Sequence, residues 1–274
     1  MIAGVANPPG SPVEAIGRRV LGWSRSLGDA VGFLGSTVLA LVRRRPDGSW
    51  RLSPVFTATL LEAGPGSLPL VGTLAFVMGG VLLLVASDQL DKLGATLLAP
   101  NLVAIVILRE IGSLMTGFAL AGRLASAHAA EIASNLKMEA LGGTAWTATN
   151  DLVDRLVVPR VLGLVLMAPL LVLYANAFGL LGSMTVAVGL LDVPPADYVE
   201  RTRAALSLKP VIAGLVKGVT FGFLIAMAGG YHGLRGGSSG RSVGKAVKNA
   251  VVTAVLGVGL ADAALTVFFK YVQL

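Results

Sequence analysis

The sequence contains no cysteine, which excludes disulfides, thiolate nucleophiles and thiolate-held metals. Its two histidines, His128 and His232, are too few for a histidine-rich metal centre. Charge is scarce as well: 14% of the 274 residues are Asp, Glu, Lys or Arg, where a soluble domain carries about 25%. No nucleophile stands beside a base and an orienting acid, and there is no HExxH motif, so no catalytic and no metal-binding residue is assigned. The basic, glycine-rich stretch 232–248 has neither a preceding strand nor a GxxxxGK[ST] pattern, so it is not read as a nucleotide loop. The first 19 residues lack the basic start, apolar run and small-residue cleavage site of a signal peptide, and insertion is expected to rely on internal spans.

What is present is apolar surface. Hydrophobic residues make up 54% of the chain, and the mean hydropathy is +0.78. The formal net charge of +7 would raise nucleic acid as a partner for a soluble protein. Here the basic residues bracket apolar runs, which points to membrane orientation and anionic lipid, with no nucleic acid. The fold class expected is all-α: a polytopic membrane protein with an N-terminal interfacial amphipathic helix and about five transmembrane helices.

Residues 101–139 organise the rest. Gly117, Ala121, Ala125, Ala129 and Ala133 recur every fourth residue and draw a small-residue stripe down one helix face, the pattern by which membrane helices pack closely. A second stripe runs through Gly214, Gly218, Gly222, Ala226 and Gly230. Five spans are expected, over residues 68–87, from 97 or 101 to 130, 161–191, 210–231 and 249–271. The second reads either as one tilted helix or as two short spans broken at Gly112. Residues 1–52 are expected to form a cytoplasmic tail and interfacial helix, with 30–42 too short to span comfortably; a first true span there is the alternative. Residues 53–66 read as one or two helical turns, 134–150 as a short surface helix and loop, and 192–209 as an exposed loop with a short helix. With a cytoplasmic amino terminus, five spans put residues 43–45, 137–160 and 235–248 on the cytoplasmic side, as the positive-inside rule requires.

Ionisable groups inside these spans are costly, so they are expected to face protein or an aqueous cavity. Arg109 and Glu110 are adjacent, do not share a helix face and should find separate partners. Arg123 and Glu131, eight residues apart, should each meet another helix. Asp262 calls for a basic partner, and Lys217 lies at a suitable depth. These groups either fix helix register, move during a transport cycle or touch a lipid head group. His128, a lone imidazole, reads as a packed residue rather than a ligand. Glu139 and its neighbours suit a groove on another protein, or an ordinary solvated loop.

The run LREIGSLMTGFALAGRLASAHAAEI, residues 108–132, resembles the signature of the MlaE/YrbE permeases, the membrane subunits of ABC transporters that work with MCE proteins in lipid trafficking. Arg109, Glu110 and Gly112 match its first part, and Ala121, Gly122, Arg123, Ser126, Ala127, Ala130, Glu131 and Ile132 its second. VVPR at 157–160, GGY at 229–231, Asp262, Leu265, Thr266, Phe268 and Phe269 follow the family in order. Ser113, Ala125 and Ala133 depart from its Pro and two glycines, and NLKMEAL at 135–141 from its coupling segment, which leaves open a different ATPase, an unequal partner permease or reduced coupling.

The resemblance implies a transmembrane permease domain over 53–274, one long second helix, and ATPase coupling near 134–147 through Leu136, Lys137, Met138, Glu139 and Leu141. Arg109, Glu110, Arg123, Glu131 and Asp262 would make polar helix contacts, and Gly117, Ala121, Ala125, Gly218 and Gly222 the close packing. The implied partners are an ABC ATPase subunit, a second permease subunit, identical or related, MCE proteins and lipids (phospholipid, fatty acid or sterol-like). No cofactor is expected on this chain, with ATP and Mg on the ATPase. The implied location is a bacterial inner membrane. A transporter or channel outside the ABC class, or a structural assembly protein, is the alternative that lack of an ATPase partner would favour.

Overall fold

The computed structural model describes residues 28–29, 31–41, 53–141, 152–236 and 239–272, without the side chains of 97 and 138–141. The chain separates into two units, Met1–Arg44 and Arg45–Leu274. In the first, helix α1 (Val31–Leu41) is apolar and, at 1.5 Å per residue, ~16 Å long, about half of a hydrocarbon core. The expected remainder of the interfacial helix, the basic cluster at 43–45 and the loop at 142–150 lie outside the described residues.

The second unit is built of helices joined by short turns, with no strand among its described residues. Helix α2 (Pro54–Ala63) starts where Pro54 supplies a preset first turn and the Ser53 hydroxyl accepts from the Val55 amide at 3.2 Å. It is longer than the one or two turns expected. Helix α3 (Leu68–Asp91) follows a tight turn and ends at Gly94, whose φ of 64° suits a residue without a side chain.

Helix α4 occupies residues 99–141 without a break, so the reading with a hairpin at Gly112 does not hold. It contains two wide π turns, Ile107–Ile111 and Ala121–Ala125. Helix α5 is Val153–Leu190, opened by a third π turn at Val153–Val157 and continuous through Pro169. A short helix α6 (Pro195–Ala205) precedes α7 (Leu208–Leu234) and α8 (Gly240–Val272).

Five helical segments are long and apolar enough to cross a membrane: Pro54–Asp91, Ala99–Lys137, Val153–Leu190, Leu208–Leu234 and Gly240–Val272. Several overrun the hydropathy limits. The basic stretch 240–248 is the first turns of α8, not loop, because a helix needs only its own hydrogen bonds and can carry Arg241, Lys245 and Lys248 outside hydrocarbon.

Helix α5 is the hub, packed on α2, α3 and α7, while α7 also packs on α4 and α8. Small residues set these distances. A Cβ at Gly222 would lie 2.5 Å from the Leu164 carbonyl oxygen, and one at Gly218 2.9 Å from the Pro169 Cα, so α7 seats directly on the α5 backbone. A Cβ at Gly117 would come within 2.8 Å of Phe221 and Val258, and Ala121 and Ala125 are fully buried. Where α4, α7 and α8 end or begin, Ala133, Gly236 and Ala246 approach one another, so the basic segments after Gly233 and around Lys137 share one end of the bundle. At the other end, Leu83, Val103, Ala187 and Tyr198 form a core cluster beneath α6.

Candidate functional site

Two polar clusters sit among these apolar helices. The deeper one joins α4, α7 and α8. Lys217 is completely buried, and its ammonium donates to Glu110 Oε2 and, at 2.9 Å, to Thr266 Oγ1. Asp262 Oδ1 lies 2.8 Å from the same nitrogen, an ion pair outside hydrogen-bonding alignment. The Thr266 hydroxyl stands 3.2 Å and 3.3 Å from the two oxygens of Glu110, to which it donates. Arg109 Nε is 3.9 Å from Glu110 Oε1. Two cations therefore face two carboxylates, which is how charge is tolerated in a low-dielectric interior.

The first π turn positions this group. One extra residue in the turn widens α4 and shifts the face presented by everything beyond it, and Arg109 and Glu110 lie inside it. Glu110 has the separate partner expected of it, in Lys217; Arg109 departs from the expectation by reaching towards its own neighbour. The Lys217–Asp262 pairing follows the depth argument. Thr266, the third group on the ammonium, carried no sequence signal beyond its place in the family pattern.

The second cluster lies towards the basic end of the bundle. Arg123, inside the second π turn, donates from Nη1 to Ser67 Oγ at 2.6 Å and to the Glu62 carbonyl at 3.2 Å, clamping the turn between α2 and α3. Gly66 leaves the room, since a Cβ there would be 2.6 Å from Arg123 Nη2. Glu131 reaches Arg160 Nη2 at 2.7 Å, and Arg160 Nη1 donates to the Leu156 carbonyl at 2.6 Å. Arg123 and Glu131 thus each meet another helix, and different ones. Arg160 is buried while half of the Glu131 side chain is exposed; sequence alone noted the Pro-Arg pair without giving Arg160 a partner.

His128 is fully buried between α4 and α7, and neither ring nitrogen has a hydrogen-bond partner among the described residues. Among the described residues no three His, Asp or Glu side chains gather as a metal site. Leu136 and Lys137 continue α4, with Lys137 exposed, and the backbone of Met138, Glu139 and Leu141 completes its last turn; the side chains of these three lie outside the described residues.

Five long apolar helices, held together by glycine and alanine contacts and by ion pairs that bury Lys217 and Arg160, define a multi-pass membrane protein. Residues 56–268 match the family described as Permease MlaE, and the chain belongs to that family. It is 30% identical to a probable ABC transporter permease protein of Rickettsia conorii, over 82% of this chain and 84% of the relative. A probable ABC transporter permease protein of Rickettsia typhi is 33% identical over 65% of this chain and 68% of its own length. One from Pyropia yezoensis is 27% identical over 75% and 78%.

Proposed function

We propose that this chain is the membrane subunit of an ABC transporter that moves lipid between a bacterial inner membrane and MCE proteins. It pairs with a second permease, identical or related, and takes its energy from a separate ATPase that binds ATP and Mg. The observation that carries this reading is α4: one unbroken helix holds Glu110 of the buried cluster in its first third and the proposed coupling residues Leu136, Lys137, Met138, Glu139 and Leu141 in its last turns. A push on those turns is felt at Lys217 and Asp262 without any flexible joint except the two π turns. ATP-driven closure of the ATPases would shift α4 against α7 and α8, and the charge pairs would hold each arrangement in register. Lipid would bind through apolar surface, at roughly 25 cal/mol per Å² removed from water.

In this reading the end that carries Lys137 and residues 235–248 is cytoplasmic, as is the amino terminus. The test is purification of the intact assembly from native membranes, followed by subunit identification and lipid transfer in reconstituted vesicles. Co-purification of an ATPase and MCE proteins, with ATP-dependent transfer, is the expected result. A stable, active assembly lacking both would overturn the reading.

A further inference from the structure

At the end of the bundle away from Lys137, α6 packs on the start of α4 and, against α5, leaves a groove of about 600 Å³, within the ~300–1,000 Å³ of small-ligand sites. It is a built feature, because the Tyr198 hydroxyl fastens α6 to α5 through Leu180 O at 3.1 Å and Ser183 Oγ at 2.9 Å. Its walls are apolar, with Ala177, Leu181 and Met184 on one side and Val199 and Leu206 on the other. From Met184 to Ala177 the floor runs ~10 Å along α5 towards the middle of the span. Arg203 stands at the rim on the last turn of α6, exposed, with no ion pair or hydrogen bond to its guanidinium among the described residues.

We infer that this groove binds one anionic phospholipid, with an acyl chain laid along Leu181 and Ala177 and the phosphate at Arg203. The polarity fits a molecule standing in a leaflet: cation at the helix end where head groups lie, hydrocarbon-lined floor leading inward. An acyl chain suits walls of Leu and Met, whereas a partner helix would seat closely on a stripe of small residues, and the groove has only Ala177 and Thr202, on opposite helices. The site is separate from the Lys217 cluster and requires neither an MCE protein nor ATP turnover, so it stands or falls apart from the transport reading.

The experiment uses the full chain in its native assembly, placed in nanodiscs of phosphatidylglycerol and phosphatidylcholine, with retained lipids counted by native mass spectrometry. The wild type is expected to retain a phosphatidylglycerol that Leu181→Trp, which fills the groove, releases. Leu170→Trp, a control at an exposed position on the same helix, should keep it. Arg203→Gln should reduce the preference for phosphatidylglycerol over phosphatidylcholine about fivefold, the size expected of one basic side chain at an anionic surface. Equal retention by wild type and Leu181→Trp, or an unchanged preference in Arg203→Gln, would overturn the inference. A photo-crosslinking residue at position 181 should capture lipid; capture of a protein segment instead would assign the groove to a partner subunit and overturn it as well.

Discussion

Lys217 is fully buried with three groups of the right kind around it, so its charge is held by Glu110, Asp262 and Thr266. Replacing it with Met removes the cation and leaves two carboxylates facing each other across α4 and α8, with only Arg109 at 3.9 Å as compensation. Breaking a buried pair in this one-sided way costs about 3–5 kcal/mol, and Lys217→Met should lower thermal stability in detergent accordingly. Adding Glu110→Gln and Asp262→Asn should recover much of that loss, because no unpaired charge then remains; a triple variant no more stable than the single one would show that the pairs do not set the cost. Arg123→Lys should be milder, about 1–2 kcal/mol, since an ammonium can replace one of the two Nη1 bonds to Ser67 and Glu62, as read in the same melting experiment. Sequence made Asp262 and Lys217 a pair because both are expensive and lie at one depth. It did not bring Glu110 or Arg160 to their partners, because that depends on which way α4 and α5 face, and π turns in both helices change the facing without leaving a mark in hydropathy.

Helix-level packing was far more legible than helix length. The every-fourth glycines of α7 at 214, 218 and 222 meet the backbones of α4 and α5, and Gly117 of α4 admits the Phe221 and Val258 side chains, since period-four spacing keeps such residues on one face and only a missing side chain admits a close neighbour. Segment ends were read too short at 54–67 and 240–248, because hydropathy reports where lipid begins, and a helix can continue into water on its own hydrogen bonds. Gly222 tests the packing argument directly. With the Leu164 carbonyl oxygen 2.5 Å from where a Cβ would stand, Gly222→Leu must push α7 off the α5 backbone. Overpacking of this kind costs about 1–3 kcal/mol or more, and pulling α7 away also stretches Lys217 from Glu110. The variant should insert with normal topology and yet melt early. The chain has no native cysteine, so single introduced cysteines report topology cleanly by accessibility labelling. Normal topology with wild-type melting would mean that the α5–α7 contact is not close in the membrane.

Across the whole molecule, the proposed coupling turns and the buried charge cluster lie at separate places along α4. The basic end gathers the last turns of α4 with the starts of α5 and α8, and the Arg160–Glu131 and Arg123–Ser67 contacts stiffen it. The Lys217 cluster lies further along α4, past the π turn at Ala121–Ala125 and within the one at Ile107–Ile111. If an ATPase grips 136–141, stiffness between the two is what converts its closure into movement at the cluster, and the grip itself is the dispensable part for folding. Glu139 is in the last turn of α4, in the proposed coupling segment past the buried clusters, so Glu139→Ala should leave insertion, melting and recovery of the assembly unchanged. Its effect should fall on coupling alone. A loss of about tenfold in lipid-stimulated ATP hydrolysis corresponds to ~1.4 kcal/mol, within the ~1–3 kcal/mol typical of coupling between distant sites. Basal hydrolysis, which belongs to the ATPase, should stay within about twofold, or ~0.4 kcal/mol, below that coupling range. Lys217→Met offers the contrast, because it should lower both stability and transport while the ATPase remains docked. If Glu139→Ala in a correctly assembled complex turns over ATP normally and transfers lipid at the wild-type rate, force does not enter through the end of α4.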